Sequence, residues 1–307
     1  MKYLIGIDGG GTKTDSAIAD LSGKIIYQTV GKPSNFLIIG VKETVANLFA
    51  AIEECLFELK GDFSDVKQIV VGVAGAGRKD DAELLEMSFK DYADNEGIHF
   101  KGVKVVSDAQ VALEGAFPDS AGCILIAGTG SILFGKDDKG NIYRVGGFGR
   151  LIGDEGSGYR IGRKALNAVS KEIDGRGEKT IITELVNNKI DFGVSDKLVN
   201  KVYKEKLDIA SIAKIVIDAA EIGDDEANKI LSDEADELVL HLKSILNKIP
   251  TKKLDVSFTG SLIDNKNFYS ELLKKKIKES LLQIRIVTPA FSPVSGAILI
   301  AKRIIST

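Results

Sequence analysis

What most constrains this chain is a device it uses twice, in which an apolar run, a glycine turn and a second run follow one another. Tyr3-Leu-Ile-Gly-Ile-Asp8 reads as a buried strand, Gly9-Gly10-Gly11-Thr12-Lys13-Thr14 as the turn, and Asp15 to Asp20 as the returning strand. Cys123 to Ala127, then Gly128-Thr129-Gly130-Ser131, then Ile132 to Gly135 repeat the pattern. Glycine loses more conformational freedom on folding than any other residue, so runs this dense fit where the main chain needs positive φ or lies against a ligand. Backbone N–H groups in such a turn can form an anion nest, with the Thr12 hydroxyl as a further donor and Lys13 as a point charge. Two copies suggest two similar domains facing each other across a nucleotide, although plain glycine-rich hairpins would carry the same local pattern. The turn is no Walker loop, because Lys13 is not followed by a helix and the spacing differs.

A third cluster joins Gly146-Gly147-Phe148-Gly149 to Ile152-Gly-Asp154-Glu155-Gly156-Ser-Gly158-Tyr159. Two acidic residues among glycines at the mouth of a helix read as a binding pocket, with a tight interdomain turn as the plainer reading. Val103 to Val106 is a further strand, and Ser107-Asp108-Ala109 leads from it into a helix. Ligands of open α/β sheets bind beyond the carboxyl ends of the strands, so Asp8 and Asp108 are expected at one cleft. There Asp8 can hold Mg²⁺ through water, while Asp108 reads equally as a helix N-cap on local grounds.

Taken in order, Asp8-Gly-Gly-Gly-Thr12-Lys13, Ser34-Asn35, Ser107-Asp108-Ala109, Gly128-Thr-Gly-Ser131, Gly146 to Ser157 and Thr259-Gly260-Ser261 resemble the sugar kinase, actin and heat-shock ATPase superfamily. Within it, the chain resembles the N-acetylglucosamine kinase branch of the BadF/BadG-type ATPases over nearly its whole length. The resemblance implies two ribonuclease-H-like (actin-like ATPase) α/β domains around a nucleotide and sugar cleft, with a helical insertion in the second. It implies ATP and Mg²⁺ as cofactors, an amino sugar as the acceptor and a homodimer. Asp8 matches the residue near the metal. Gly10, Gly11, Thr12, Lys13, Gly128, Thr129, Gly130 and Ser131 match the phosphate turns, and Gly260 and Ser261 the adenosine turn. Asn35, Gly147, Phe148, Asp154 and Glu155 fall where that branch holds the sugar, and Asp108 at the general base. Phe148, where mammalian relatives carry tryptophan, and Ile132, where relatives carry a polar residue, depart from the pattern and bear on which sugar is accepted.

Such a set suffices chemically, because γ-phosphoryl transfer needs positioning, charge neutralisation and one base for the attacking hydroxyl. N-acetylglucosamine at its 6-hydroxyl is the expected acceptor, with N-acetylmuramic acid and glucosamine as rivals. Arg78, after Ala74-Gly-Ala-Gly77, reads as a solvated arginine or as a partner for a lactyl carboxylate. Glu155 is either a sugar ligand or an acidic residue favoured by a helix N-terminus.

With 44% hydrophobic and 28% charged residues in 307 positions, the chain can build two cores. Domains are expected at 1–118 and 119–292, the second with its helical insertion at about 160–250, and a C-terminal helix at about 293–307 returns to the first. A net charge of −3 offers no nucleic-acid footprint, and Lys274 to Lys278 read as the wet face of a helix. No stretch reaches the roughly 20 apolar residues that span a bilayer, so no membrane contact and a cytoplasmic location are expected. Cys55 and Cys123 sit in apolar patterns and read as core, which weighs against an iron–sulfur ATPase that activates acyl-CoA reductases or dehydratases. A sugar-sensing regulator would need a DNA-binding segment that the sequence does not contain. His99 and His241 read as satisfied or solvent-facing.

Overall fold

The computed structural model describes residues 1–193 and 195–306. They form two compact units, one from Met1–Ser120 with the segment from Thr288 onward, the other from Ala121–Val287.

The first unit contains β1 (Tyr3–Gly9), β2 (Thr14–Asp20), β3 (Ile25–Gly31), the short α1 (Phe36–Ile39), α2 (Val41–Glu58), β4 (Val66–Val73), α3 (Lys79–Asn95), β5 (Val103–Ser107) and α4 (Asp108–Ala116). Its sheet has the order β3-β2-β1-β4-β5, with β1–β2 and β2–β3 antiparallel and β4 and β5 parallel to β1. β1 and β4 are apolar and buried along almost their whole length, as strands covered on both faces must be. On one face α2 buries Val45, Leu48, Phe49, Ile52, Cys55 and Leu56, the stripe that three-and-four spacing predicts. Phe49 stacks on Phe89 of α3, with ring centroids 4.2 Å apart.

The second unit contains β6 (Gly122–Ala127), β7 (Ser131–Lys136), β8 (Ile142–Gly146), α5 (Gly158–Ile173), α6 (Ile181–Ile190), α7 (Ser195–Tyr203), α8 (Ala213–Glu221), α9 (Asp225–Lys248), β9 (Leu254–Thr259), α10 (Phe268–Ser280) and β10 (Ile284–Ile286). Its sheet runs β10-β9-β6-β7-β8, with β6–β7 and β7–β8 antiparallel and β9 and β10 parallel to β6. Order and sense repeat those of the first unit, so the repeated glycine device sits between the first two strands of two like sheets. Ser157, Thr180 and Asp224 cap α5, α6 and α9 by accepting backbone N–H bonds. On α10, Lys274 and Lys276 pair with Glu271 and Asp236 at the surface.

The last helix, α11 (Pro293–Ser306), belongs to the first unit and covers the sheet face opposite α2 together with α4. Gly115 of α4 and Gly296 of α11 meet backbone to backbone: a Cβ on Gly296 would overlap the Val111 carbonyl and the Gly115 amide, and one on Gly115 the Ser292 carbonyl. Gly296→Ala is therefore expected to force the helices apart, a loss on the order of 3 kcal/mol. Thermal unfolding of the variant checks this, and an unchanged midpoint would contradict the packing.

Candidate active site

Asp8 lies near the carboxyl end of β1, and Asp108 directly follows β5. The parallel register sets Asp8 beside Gly72 and Gly72 beside Val106, so both acids stand at the same edge of the sheet. The cap of α4 is Ser107, whose Oγ accepts from the Gln110 N–H at 3.1 Å, while Asp108 Oδ1 accepts from the Ala109 N–H at 2.8 Å. The N-cap reading of Asp108 is thus corrected: the role belongs to its neighbour.

The turn after β1 is braced from beneath. Gly10 N–H donates to the Lys13 carbonyl at 3.0 Å, Ser34 N–H to the Gly10 carbonyl at 3.0 Å, and the Thr14 hydroxyl to the Lys32 carbonyl at 2.6 Å. Gly11, Thr12 and Lys13 are exposed above this brace. Lys13 is not an isolated point charge, because its Nζ stands 2.7 Å from the Asp15 carboxylate. Asn35 caps α1 by accepting from the Leu37 N–H at 3.1 Å. Its Nδ2 lies by Gly11, where a Cβ would be 3.8 Å away. Arg78, at the N-cap of α3, is exposed and makes no capping bond.

In the second unit, one backbone bond closes the Gly128–Ser131 turn and two join it to the start of α5. Gly128 N–H donates to the Gly130 carbonyl at 2.9 Å, Gly158 N–H to the Gly128 carbonyl at 2.8 Å, and Tyr159 N–H to the Thr129 carbonyl at 3.2 Å. The Ser131 hydroxyl donates to the Glu155 carbonyl at 2.5 Å. Asp154 adopts φ +58°, a left-handed conformation that a non-glycine residue holds only when its surroundings enforce it. Its Oδ1 accepts from the Gly149 N–H at 3.1 Å, and its carboxylate lies against Gly130. Gly260, at φ +103°, sits where a Cβ would overlap the Ala127 carbonyl, and Ser261 Oγ would lie 3.8 Å from a Cβ on Gly128. The two turns are neighbours. Phe148 is 69% exposed, and the Arg144 guanidinium covers its ring at 5.4 Å. Arg144 also donates to the Gly146 and Gly147 carbonyls, and a Cβ on Gly147 would run into Ile132. Arg144 is missed by sequence reasoning, since an arginine inside a strand carries no local signal of such a role.

Burial pushes the Asp8 carboxyl up to about 6, with the charges of Asp108 and Asp15 adding to the rise and Lys13 opposing it. Asp108 is raised as well, chiefly by burial, against the pull of the Ala109 N–H and its own. Acids held above their usual range by desolvation and like charge are a mark of functional sites, and they gain from a nearby cation. Among the described residues no three His, Cys, Asp or Glu side chains converge as a metal cage. A single half-buried carboxylate such as Asp8 could hold a hard cation jointly with oxygens of a bound phosphate ligand. Both cysteines are fully buried and free, with thiols pushed by burial to about 12. That argues against cluster ligation, which needs thiolates. Among the described residues no helix is long and apolar enough to cross a membrane.

Two like sheets, each with a glycine turn between its first two strands, define the fold class of the actin-like ATPases. A Chromobacterium violaceum protein assigned as an N-acetylglucosamine kinase shares the fold, with a TM-score of 0.75 at 23% identity, covering 98% of this chain and 99% of that one. The chain belongs to the BadF/BadG/BcrA/BcrD ATPase family, which it matches over residues 5–301. It is 34% identical to an N-acetylmuramic acid/N-acetylglucosamine kinase of Clostridium acetobutylicum, over 98% of this chain and 99% of the relative. It is 32% identical to an N-acetyl-D-glucosamine kinase of Dictyostelium discoideum, with 98% of each covered.

Proposed function

We propose that the protein is an ATP- and Mg²⁺-dependent kinase that transfers the γ-phosphoryl group of ATP to the 6-hydroxyl of N-acetylglucosamine. The observation that carries this reading is the pair of half-buried acids with raised carboxyls, Asp8 and Asp108, at one edge of a sheet beside a braced glycine turn. Asp108 accepts the proton of the attacking hydroxyl. Its raised basicity suits that work, because a base is most effective when its pKa lies near the operating pH. Backbone N–H groups of Gly11 to Lys13 and of Thr129 to Ser131, with the Thr12 and Thr129 hydroxyls, hold phosphate oxygens, while Gly10 and Gly128 close the two turns through their own N–H bonds. Mg²⁺ bound at Asp8 would neutralise charge on those oxygens. Asn35, Asp154 and Glu155 hydrogen-bond sugar hydroxyls, Phe148 packs on the ring beside Gly147, and Gly260 and Ser261 carry the adenosine.

N-acetylmuramic acid is the second acceptor to consider, favoured by the Clostridium relative, whose name covers both sugars. Its lactyl carboxylate would need a cation, and exposed Arg78 is available. The reading also includes a cytoplasmic location and a homodimer, the latter measurable by sedimentation velocity. The direct test is a coupled ADP-release assay with ATP, Mg²⁺ and glucose, glucosamine, N-acetylglucosamine and N-acetylmuramic acid in turn. Saturable release with an acetylated amino sugar is expected. Hydrolysis that ignores every sugar would overturn the proposal.

A further inference from the structure

Helix α9 presses one face onto the segment that carries Phe148, Asp154 and Glu155. Glu234, Leu238 and His241 recur at four and three along it, so they share a side of the helix. All three meet glycines that bracket this segment. His241 lies against Gly146, where any Cβ would overlap its ring, and Leu238 lies against Gly156 in the same way. Glu234, 1% exposed, accepts from the Gly156 N–H at 2.6 Å through Oε2. Its Oε1 stands 2.8 Å from Lys164 Nζ of α5. On the next peptide, the fully buried Tyr269 of α10 donates its hydroxyl to the Gly156 carbonyl at 3.0 Å, so Gly156 is held on both sides of its Cα. His241 differs from its sequence reading: it is buried, its Nδ1 bonds the Glu237 carbonyl at 2.7 Å, and its Nε2 has no hydrogen-bond partner.

A carboxylate taken out of water is expensive, and it persists where pairing and hydrogen bonds offset the cost. Here one oxygen meets a lysine and the other a single amide of a loop. That amide is two residues from Asp154, whose left-handed backbone must be enforced by its surroundings. We propose that Glu234 is a positioning residue for the sugar acceptor. By fixing the Gly156 peptide against α9, with Tyr269 as counter-hold, it keeps Asp154 in the conformation that aims its carboxylate at Gly130 and Gly149. This rests on the reading of Asp154 as a sugar ligand. Glu234 touches no substrate itself.

The test compares wild type with Glu234→Ala and with the pair Glu234→Gln/Lys164→Met. The pair keeps an acceptor for the Gly156 N–H and removes the lysine that would otherwise lose its partner. Each protein is assayed for KM of N-acetylglucosamine, KM of ATP and kcat, and its thermal midpoint is recorded. Glu234→Ala is expected to raise the sugar KM on the order of tenfold to a hundredfold, the scale of a small misplacement near a reacting group. The ATP KM should stay within about twofold, and the pair should bring the sugar KM back to within about threefold of wild type. An unchanged sugar KM in Glu234→Ala would overturn the proposal. So would a fall in kcat alone that tracks the folded fraction, or a folded Gln/Met pair that fails to recover. Loss of the underlying amino-sugar reading would show separately, as wild-type protein that releases no ADP in response to the sugar.

Discussion

Replacing Asp108 with asparagine is expected to lower turnover on the order of a hundredfold to ten-thousandfold, the range contributed by a positioned general base. The substitution is nearly isosteric, and the helix start survives it. Ser107 supplies the cap, and the asparagine carbonyl can still accept the Ala109 N–H that Asp108 Oδ1 takes at 2.8 Å. Affinity for ATP should therefore change by no more than about twofold. The pH dependence carries the sharper signature. Burial raises the Asp108 carboxyl above its ordinary value of 3.8, so activity that needs the carboxylate should rise with pH along a limb displaced above the ordinary carboxylate range. In Asp108→Asn the part of that limb owed to Asp108 should be lost, leaving the residual rate with only what other acids such as Asp8 contribute. A variant within tenfold of wild type would take the base role away from this residue.

Asp8→Asn should give a protein that is more stable and nearly inactive. The native state raises the Asp8 carboxyl from 3.8 to about 6. The folded protein thus binds that proton more tightly than the unfolded chain does. The resulting stability is fully present below pH 3.8 and is lost as pH climbs through about 6. At neutral pH the ionised group costs up to about 3 kcal/mol, an upper bound because Asp8 keeps some contact with solvent. Asparagine cannot ionise, so the unliganded variant should melt several degrees above wild type at pH 7 and converge with it near pH 4. Turnover should fall a hundredfold or more, because metal charge at phosphate oxygens is worth several kcal/mol in the transition state. Calorimetry from pH 4 to 8, with and without Mg²⁺ and ATP, measures both effects. Parallel melting curves at every pH would show that Asp8 carries no such strain.

The glycine turns, their flanking strands and the α2 stripe were legible because each is local: periodicity and turn chemistry lie within a few residues of one another. Strand order was not legible, since Asp8 and Asp108 come to one edge only through β4, which pairs with both β1 and β5. Ser107 as the cap of α4 had a readable sign in Gln110 three residues on, one that the more prominent carboxylate hid. Glu234 is harder. It bonds an amide 78 residues away, and nothing near it announces that contact. Its one clue is a charge on the inward face of α9, between Leu231 and Leu238, where an apolar residue would be ordinary. Asp154 is a similar case, because no sequence rule marks an aspartate for a left-handed backbone.

The return of α11 to the first unit sets an order of events for a chain made from its N-terminus. Residues 121–287 hold a complete sheet and its helices, so that unit can close as soon as it emerges. The first unit cannot. Leu4, Ala17, Val70 and Val111 wait for Val294, Ala297, Ile298 and Ala301 to cover them. Throughout that interval the earlier-made half presents an uncovered apolar sheet face, the kind of surface that exposes a folding chain to aggregation. Any lesion that delays the glycine contact between α4 and α11 should lower the yield of protein in cells more than it lowers the activity of the molecules that finish folding.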